Sequence, residues 1–185
     1  MGLDGVSIVP LTPAGLDGWA DALAALDVVL VEELGRSFAT TAWDAESFRS
    51  ERPGKWELSF VALALDRLEG YWIASRPEPE TVHIHRVGVA RGQRWSGLGR
   101  GLFDAFLPAA QATGADRVTL AVTAVNKAAQ AFYRRLGFSF LEGPELAEYA
   151  TAHQVTASAG GFFDQDQLLR VMARGLTGDE TTAHH

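Results

Sequence analysis

A short apolar strand that runs into a loop of glycines and arginines, which itself opens an amphipathic helix, constrains this chain more than any other stretch. It reads Val87-Gly88-Val89-Ala90-Arg91-Gly92-Gln93-Arg94-Trp95-Ser96-Gly97-Leu98-Gly99-Arg100-Gly101-Leu102. Leu98, Leu102, Ala105, Phe106 and Ala109 recur at helical spacing. Helix N-termini carry unpaired N–H groups and the positive end of a dipole, a ready site for an anion. Gly97, Gly99 and Gly101 let an anion approach the backbone without a Cβ in the way, and Arg91, Arg94 and Arg100 add charge around the turn. The stretch is thus suited to a pyrophosphate, although the same glycines also suit a tight strand-to-helix connection. Two phosphate loops are excluded: the glycine spacing is not G-x-G-x-x-G, and no Gly-Lys-Ser/Thr triplet occurs.

What remains is Arg94-x-x-Gly97-x-Gly99, followed later by a second stretch from Leu120 to Phe138 in which a strand leads to Asn126, a helix carrying Ala131-Phe132-Tyr133, and Gly137-Phe138. In this order the two motifs resemble the signatures of the Gcn5-related N-acetyltransferase (GNAT) superfamily. The resemblance covers residues 82–140 closely and the N-terminal part through its pattern of elements. It implies an α/β acyl-CoA N-acyltransferase fold: a mixed sheet of about six or seven strands, splayed at its middle strands, with about four helices around it. It also implies acetyl-CoA as co-substrate.

Composition bounds the rest. The chain has 185 residues, which fits one domain over 1–175 with a flexible tail at 176–185. It has no Cys, so a covalent acetyl-cysteine intermediate and cysteine-ligated metals are excluded. No apolar run reaches membrane-spanning length. Met1–Asp4 does not open like a signal peptide, and Val6 stands where a myristoylation signal needs Ser or Thr, so the expectation is a cytoplasmic protein. The net charge is −7, yet residues 81–140 hold eight Lys or Arg against two Asp. A basic segment in an acidic chain points to one anionic ligand bound locally and argues against nucleic acid. The acidic remainder favours a cationic second substrate. No membrane partner is expected, and a homodimer is compatible with the sequence.

In chain order, Val6–Leu11 reads as an edge strand. A helix starts at Thr12-Pro13 and runs to Leu34 with a break near Asp27, and Ala42–Arg49 reads as a short helix. Trp56–Leu65 reads as a strand, Arg67–Gly70 as a hairpin turn, Tyr71–Ser75 as a strand and Pro77–Glu80 as a turn. Val82–Val89 feeds the glycine loop. A helix to about Thr113, a strand Arg117–Thr123 and a helix Lys127–Leu136 follow. Residues 143–165 read as a loop with a short helix, and Leu168–Ala173 as the last strand.

Transfer of an acyl group from a thioester to an amine needs a held thioester, a stabilised oxyanion, a deprotonated amine and a proton for the leaving thiolate. Val87, Gly88 and Val89 offer a strand edge along which the extended arm of the thioester can pair; the resemblance places the oxyanion donor at the Val87 N–H. The loop Arg94, Trp95, Ser96, Gly97, Leu98, Gly99 and Arg100 takes the pyrophosphate, with Trp95 standing where relatives have Gly. Asn126 is a helix N-cap on physical grounds; the resemblance implies a cofactor contact through its side chain, as an alternative or in addition. Tyr133, a phenol of pKa ~10, is the acid for the thiolate. His83 is the expected base, at the position where many relatives carry Glu, and its activity limb is expected near pH ~6.5, lower if buried. His85, on the same face unless a bulge intervenes, and Glu32 and Glu33, on the N-terminal helix, are expected at the acceptor. No metal site is expected. The function that follows is direct acetyl transfer in a ternary complex to a small-molecule amine; protein or peptide N-acetylation, and a non-catalytic coenzyme-A-binding module, are the alternatives.

Overall fold

The computed structural model describes residues 5–39, 41–94, 96–158, 160–164 and 166–176. Strand β1 (Val6–Pro10) leads into helix α1 (Pro13–Leu34), which Thr12 caps by accepting from the Gly15 N–H at 3.0 Å. Leu16, Ala20, Leu23, Asp27 and Leu30 form one buried stripe at spacings of three and four, so α1 runs through Asp27 without the expected break. A 3₁₀ turn (Gly35–Ser37) and helices α2 (Ala45–Arg49) and α3 (Lys55–Leu58) follow. The strand expected from Trp56 therefore starts only at Phe60, as β2 (Phe60–Ala64). The hairpin turn sits at Leu65-Asp66, not at 67–70, and β3 runs from Arg67 to Glu78. Gly70 lies inside β3 because a Cβ there would stand 2.9 Å from the Gly88 carbonyl of the neighbouring strand.

Strand β4 (Thr81–Val89), helix α4 (Leu98–Ala112), strand β5 (Arg117–Thr123) and helix α5 (Lys127–Arg135) form the strand–helix units that the motifs anticipate. The region 143–165 holds more order than expected: after β6 (Ser139–Phe140) come helix α6 (Gly143–Ala152) and strands β7 (Ala157–Ser158) and β8 (Gly161–Asp164), and β9 (Gln167–Gly175) closes the sheet. Leu176, assigned to the tail by sequence, is buried and its N–H donates to the Asp116 carbonyl.

The strands are ordered β1-β2-β3-β4-β5-β9-β8-β7, with β6 also on β9; β4 and β5 are parallel and the other pairs antiparallel. One face packs on α4 and α5 through residues such as Trp72, Ile84, Leu102, Phe106 and Leu120. The other face packs on α1 and α2 through Leu23, Leu30, Phe48, Tyr71 and Ile73, and further along on α6 through Leu146, Tyr149 and Val171.

Asp27 is fully buried on α1. Its Oδ1 accepts from the Tyr71 hydroxyl and from Arg86 Nε (3.0 Å), and its Oδ2 from Arg86 Nη2 (2.5 Å) and the Trp43 N–H (2.7 Å). Arg86 also donates to the Thr41 carbonyl at 3.0 Å. Breaking a buried pair leaves an uncompensated charge. Asp27→Ala is therefore expected to destabilise the fold by about 3–5 kcal/mol, read as a lower urea midpoint, with Asp27→Asn falling between the two.

Candidate functional site

The site begins where two parallel strands part. The β4–β5 ladder joins Thr81–Ile84 to Arg117–Leu120 and then stops, while β5 stays paired with β9 as far as Thr123. On its other side β4 stays with β3, but the register skips one residue: Ala74 pairs with Ile84 and Ile73 with Arg86, leaving His85 as the extra residue of a bulge. The bulge changes which residues face where. Val82 and Ile84 pack on the α4 side, and so do Val87 and Val89, although an even strand would put the two pairs on opposite faces. Arg86 turns to α1, and so does Gly88, where a Cβ would stand 2.5 Å from the Tyr71 ring and 2.6 Å from Leu30. Gly88 is thus required by packing on that face.

The Ala90 N–H donates to the Glu69 carbonyl at 2.8 Å, and this fixes the phase of the β3–β4 ladder. By alternation Gly88 bonds toward β3, and the N–H and C=O groups of Val87 and Val89 turn to the open side. They face a cleft of about 1120 Å³, just above the usual range for small-molecule sites. Val87, Gly88, Val89, Arg94, Gly97, Leu98, Gly99, Arg100, Asn126 and Tyr133 all line it, as the motifs anticipate. Trp95 lies outside the described residues. Ser96 does not line the cleft; its hydroxyl donates to the Gln93 carbonyl (2.7 Å) and accepts from the Leu98 N–H (3.3 Å), which shapes the loop.

At the head of α4, Gly97 has φ +93° and nothing within 4 Å of the place a Cβ would take. The Leu98 N–H is taken by Ser96 Oγ, so the space above Gly97 is offered to the N–H groups that follow Leu98 in the first turn. Two arginines of the loop already hold carboxylates: Arg94 pairs with Glu33 at 2.6 Å, and Arg100 with Asp104 at 2.7 Å. Glu33 is thereby tied to the glycine loop, and neither it nor Glu32, both expected at the acceptor, lines the cleft. Asn126 caps α5 through its Oδ1, which accepts from the Ala129 N–H at 2.9 Å; its Nδ2 donates to the Ser37 carbonyl at 2.6 Å. Thr123 donates to the same carbonyl at 3.1 Å. Arg36 pairs with Asp166 at 2.8 Å, and Gln167 donates to the Arg36 carbonyl. The segment after α1 thus crosses from the β4 side to the β5 and β9 side and narrows one end of the cleft.

Tyr133 is buried against Phe132 and Phe138, and its hydroxyl has no partner among the described residues. Burial pushes its phenol well above the ordinary value, so it stays protonated. The two β4 histidines share the face that looks toward α1, their rings 4.8 Å apart. His85 lines the cleft and its Nε2 meets Ser75 Oγ at 2.7 Å. His83 does not line the cleft; its Nδ1 meets Thr119 Oγ1 at 2.9 Å, and His153 at the end of α6 stands 6.3 Å away ring to ring. Of the two histidines, His85, expected at the acceptor, lines the cleft, and His83, expected as the base, does not. Burial is the main cause that lowers both rings, His83 to about 4 and His85 to about 3, and the charges that act on them, from Arg52, Lys55 and neighbouring histidines, lower them further. Sequence reasoning missed Arg52 and Arg86. A lone Arg before Pro53 carries no motif, and the partner of Arg86 is 59 residues away.

Among the described residues no group of His, Asp or Glu is placed to hold a metal ion, and no helix is long and apolar enough to cross a membrane. No curated protein matches the sequence closely enough to count as a relative. Among solved structures, the chain is similar to Salmonella typhimurium yncA with its cofactor acetyl-CoA (17% identity, 97% of each chain covered, TM-score 0.65). It is similar to nourseothricin acetyltransferase (21% identity, 93% of this chain and 99% of that one, TM-score 0.62). It is also similar to Arabidopsis thaliana Naa50 in complex with the bisubstrate analogue CoA-Ac-MVNAL (17% identity, 92% and 98%, TM-score 0.62). At these identities the likeness is one of fold. Sequence carries the assignment further: the acetyltransferase (GNAT) family profile matches residues 28–138, more than half of the chain and the part that contains the splayed strands and the glycine loop, and the chain belongs to that family.

Proposed function

We propose that the protein transfers the acetyl group of acetyl-CoA directly to the primary amine of a small molecule in a ternary complex. The observation that carries this reading is the edge of β4 at Val87 and Val89, which no strand pairs and where only Arg94 Nε (3.3 Å) meets the Val89 carbonyl among the described residues, turned into a cleft that also holds the head of α4, the Tyr133 hydroxyl and His85. The extended, amide-bearing arm of coenzyme A pairs with that edge as an added strand would. Its pyrophosphate meets the N–H groups after Gly97. Arg94 and Arg100 turn to it from their exposed or half-exposed carboxylate partners, since such surface pairs are worth only about 0–1 kcal/mol.

In the reaction the neutral amine attacks the thioester carbon; the C–N bond forms and the C–S bond breaks. The Val87 N–H receives the oxyanion. Tyr133 donates its proton to the departing thiolate and regains one from the proton released by the amine. A His85 ring with a pKa of about 3 holds a proton only briefly. Its part is to accept the hydrogen bond of the amine N–H and hand the proton to water, which requires the tautomer in which Nε2–H donates to Ser75 Oγ. The segment tied down through Ser37 and Arg36 supports a small acceptor over a long peptide, because it narrows one end of the cleft. The likeness to a protein crystallised with a CoA–peptide analogue is the ground for the rival reading. A screen of small amines and peptides against acetyl-CoA, followed by thiol release, tests it: turnover confined to peptides would overturn the small-molecule reading.

Gly97→Glu is expected to weaken coenzyme A roughly tenfold or more, since a carboxylate then faces the pyrophosphate. Gly97→Asn, neutral and tolerant of left-handed backbone, is expected to keep most of the affinity. Calorimetry reads both. Tyr133→Phe is expected to lower kcat about 10²-fold with unchanged coenzyme-A affinity. The pH profile follows from the depressed histidines. A ring lowered to about 3 is already neutral throughout pH 5–9, so protonating it produces no limb near 6.5, and the acidic limb follows the acceptor's own amine. His85→Gln is expected to cost more activity than His83→Gln across that range. A limb at pH 6.5 that disappears in His83→Gln would restore His83 as the base.

A further inference from the structure

Beside the acceptor end of the cleft lies a cationic basin that the transfer chemistry does not use. Trp43, which lines the cleft, is flanked by two guanidinium groups: Arg86 at 5.5 Å and Arg52 at 5.6 Å from its ring. Three cations stand in this region, and two are committed. Arg86 is held by both oxygens of Asp27. Lys55, fully buried, donates to the Phe48 and Ser50 carbonyls at the end of α2. Arg52 alone has neither a carboxylate nor a hydrogen-bond acceptor for its side chain among the described residues, and its Nε is buried without a partner. Buried donors of this kind are rarely left unmatched.

At the two histidines the field has one sign: the charges that act on His83 and His85 are cationic, and Arg52 acts on both. The carboxylates felt nearby act elsewhere, Glu51 on Lys55 and Glu78 on Tyr149. Asp164, the acidic residue of the cleft wall, sits on β8, which joins β9 beside the far, Thr123 end of β5. A cationic acceptor would meet repulsion at the point of reaction. Arg52 does not itself line the cleft; it stands behind Trp43, which does, and an acceptor with a negative group next to its amine would meet the Arg52 guanidinium past the edge of that ring.

We propose that the acceptor is a small amine bearing a carboxylate close to the amino group, and that Arg52, against Trp43, is the residue that recognises the carboxylate. The inference rests on the transferase reading above and adds the substrate class. Arg52 supplies two parallel N–H donors, which fit a carboxylate. The Trp43 face holds the guanidinium plane.

The test compares free amino acids with their amides, their decarboxylated amines and peptides whose carboxylate lies far from the amine, all against acetyl-CoA with thiol release as the readout. The expected result is a kcat/KM roughly 10- to 100-fold higher for the free acids than for the matched amides. In Arg52→Gln that ratio is expected to fall toward one through a raised KM for the acids, and Arg52→Lys to recover part of it. Circular dichroism and coenzyme-A calorimetry on the variants establish that they are folded and loaded. Amides, decarboxylated amines or peptides acetylated as well as the free acids by the parent protein would overturn the inference and leave the transferase reading intact. An acid-to-amide ratio unchanged in folded Arg52→Gln would remove Arg52 from recognition. Absence of transfer to every amine from protein that binds acetyl-CoA would overturn both readings.

Discussion

The bidentate bond between Asp27 and Arg86 is the interaction on which the site depends. It joins the middle of α1 to β4 at the one residue between the bulge and the open edge. Below that residue, β4 belongs to the β5 ladder; above it, β4 is held by β3 and by α1, and β5 is held by β9. The two strands are thus fastened to different neighbours from the same level upward, and the gap between them is the cleft. The same carboxylate takes the Trp43 N–H, and Arg86 takes the Thr41 carbonyl. One buried pair therefore sets the splay, the segment after α1 and the aromatic wall of the acceptor end. An ion pair of this kind gains little over apolar packing in net stability. Its worth here is in fixing where β4 goes.

Local features were legible from sequence, and features set by distant partners were not. The glycine loop, the head of α4, the α5 cap at Asn126 and the buried Tyr133 follow from spacing along a few turns of chain. Asp27 reads as a helix break because an acidic residue on an apolar stripe lacks a visible counter-charge; its counter-charge comes from β4. Gly70 reads as a turn residue, yet it serves a close approach of two strands at Gly88. Trp56 and Leu58 read as strand by alternation, but the chain between Lys55 and Leu58 is one helical turn, and the Lys55 ammonium that caps the end of α2 anchors it. The bulge at His85 has no glycine or proline to mark it. It decides which histidine meets the cleft, and so the base assignment could not be made from periodicity alone.

Net charge is a poor guide to the acceptor for a related reason. The chain carries −7, and an acidic chain reads as a host for cations. Yet Glu33 and Asp104 are spent on the arginines of the loop, Asp27 on Arg86, and Glu51 on the Trp56 indole. On the proposed reading, what an acceptor meets is the remainder after these pairings: neutral histidines, the Arg52 guanidinium and an aromatic ring. Electrostatic selection acts over about a Debye length, ~8 Å at physiological salt, so the few groups within that reach of His85 outweigh all the surface carboxylates of the chain. Burial first, and the same local excess of positive charge after it, keeps both rings neutral, and a neutral ring is the form that can accept the amine's hydrogen bond. Recognition of an anionic group and readiness of the amine are then two consequences of one arrangement, in which Arg52 acts on the substrate and on His85 together.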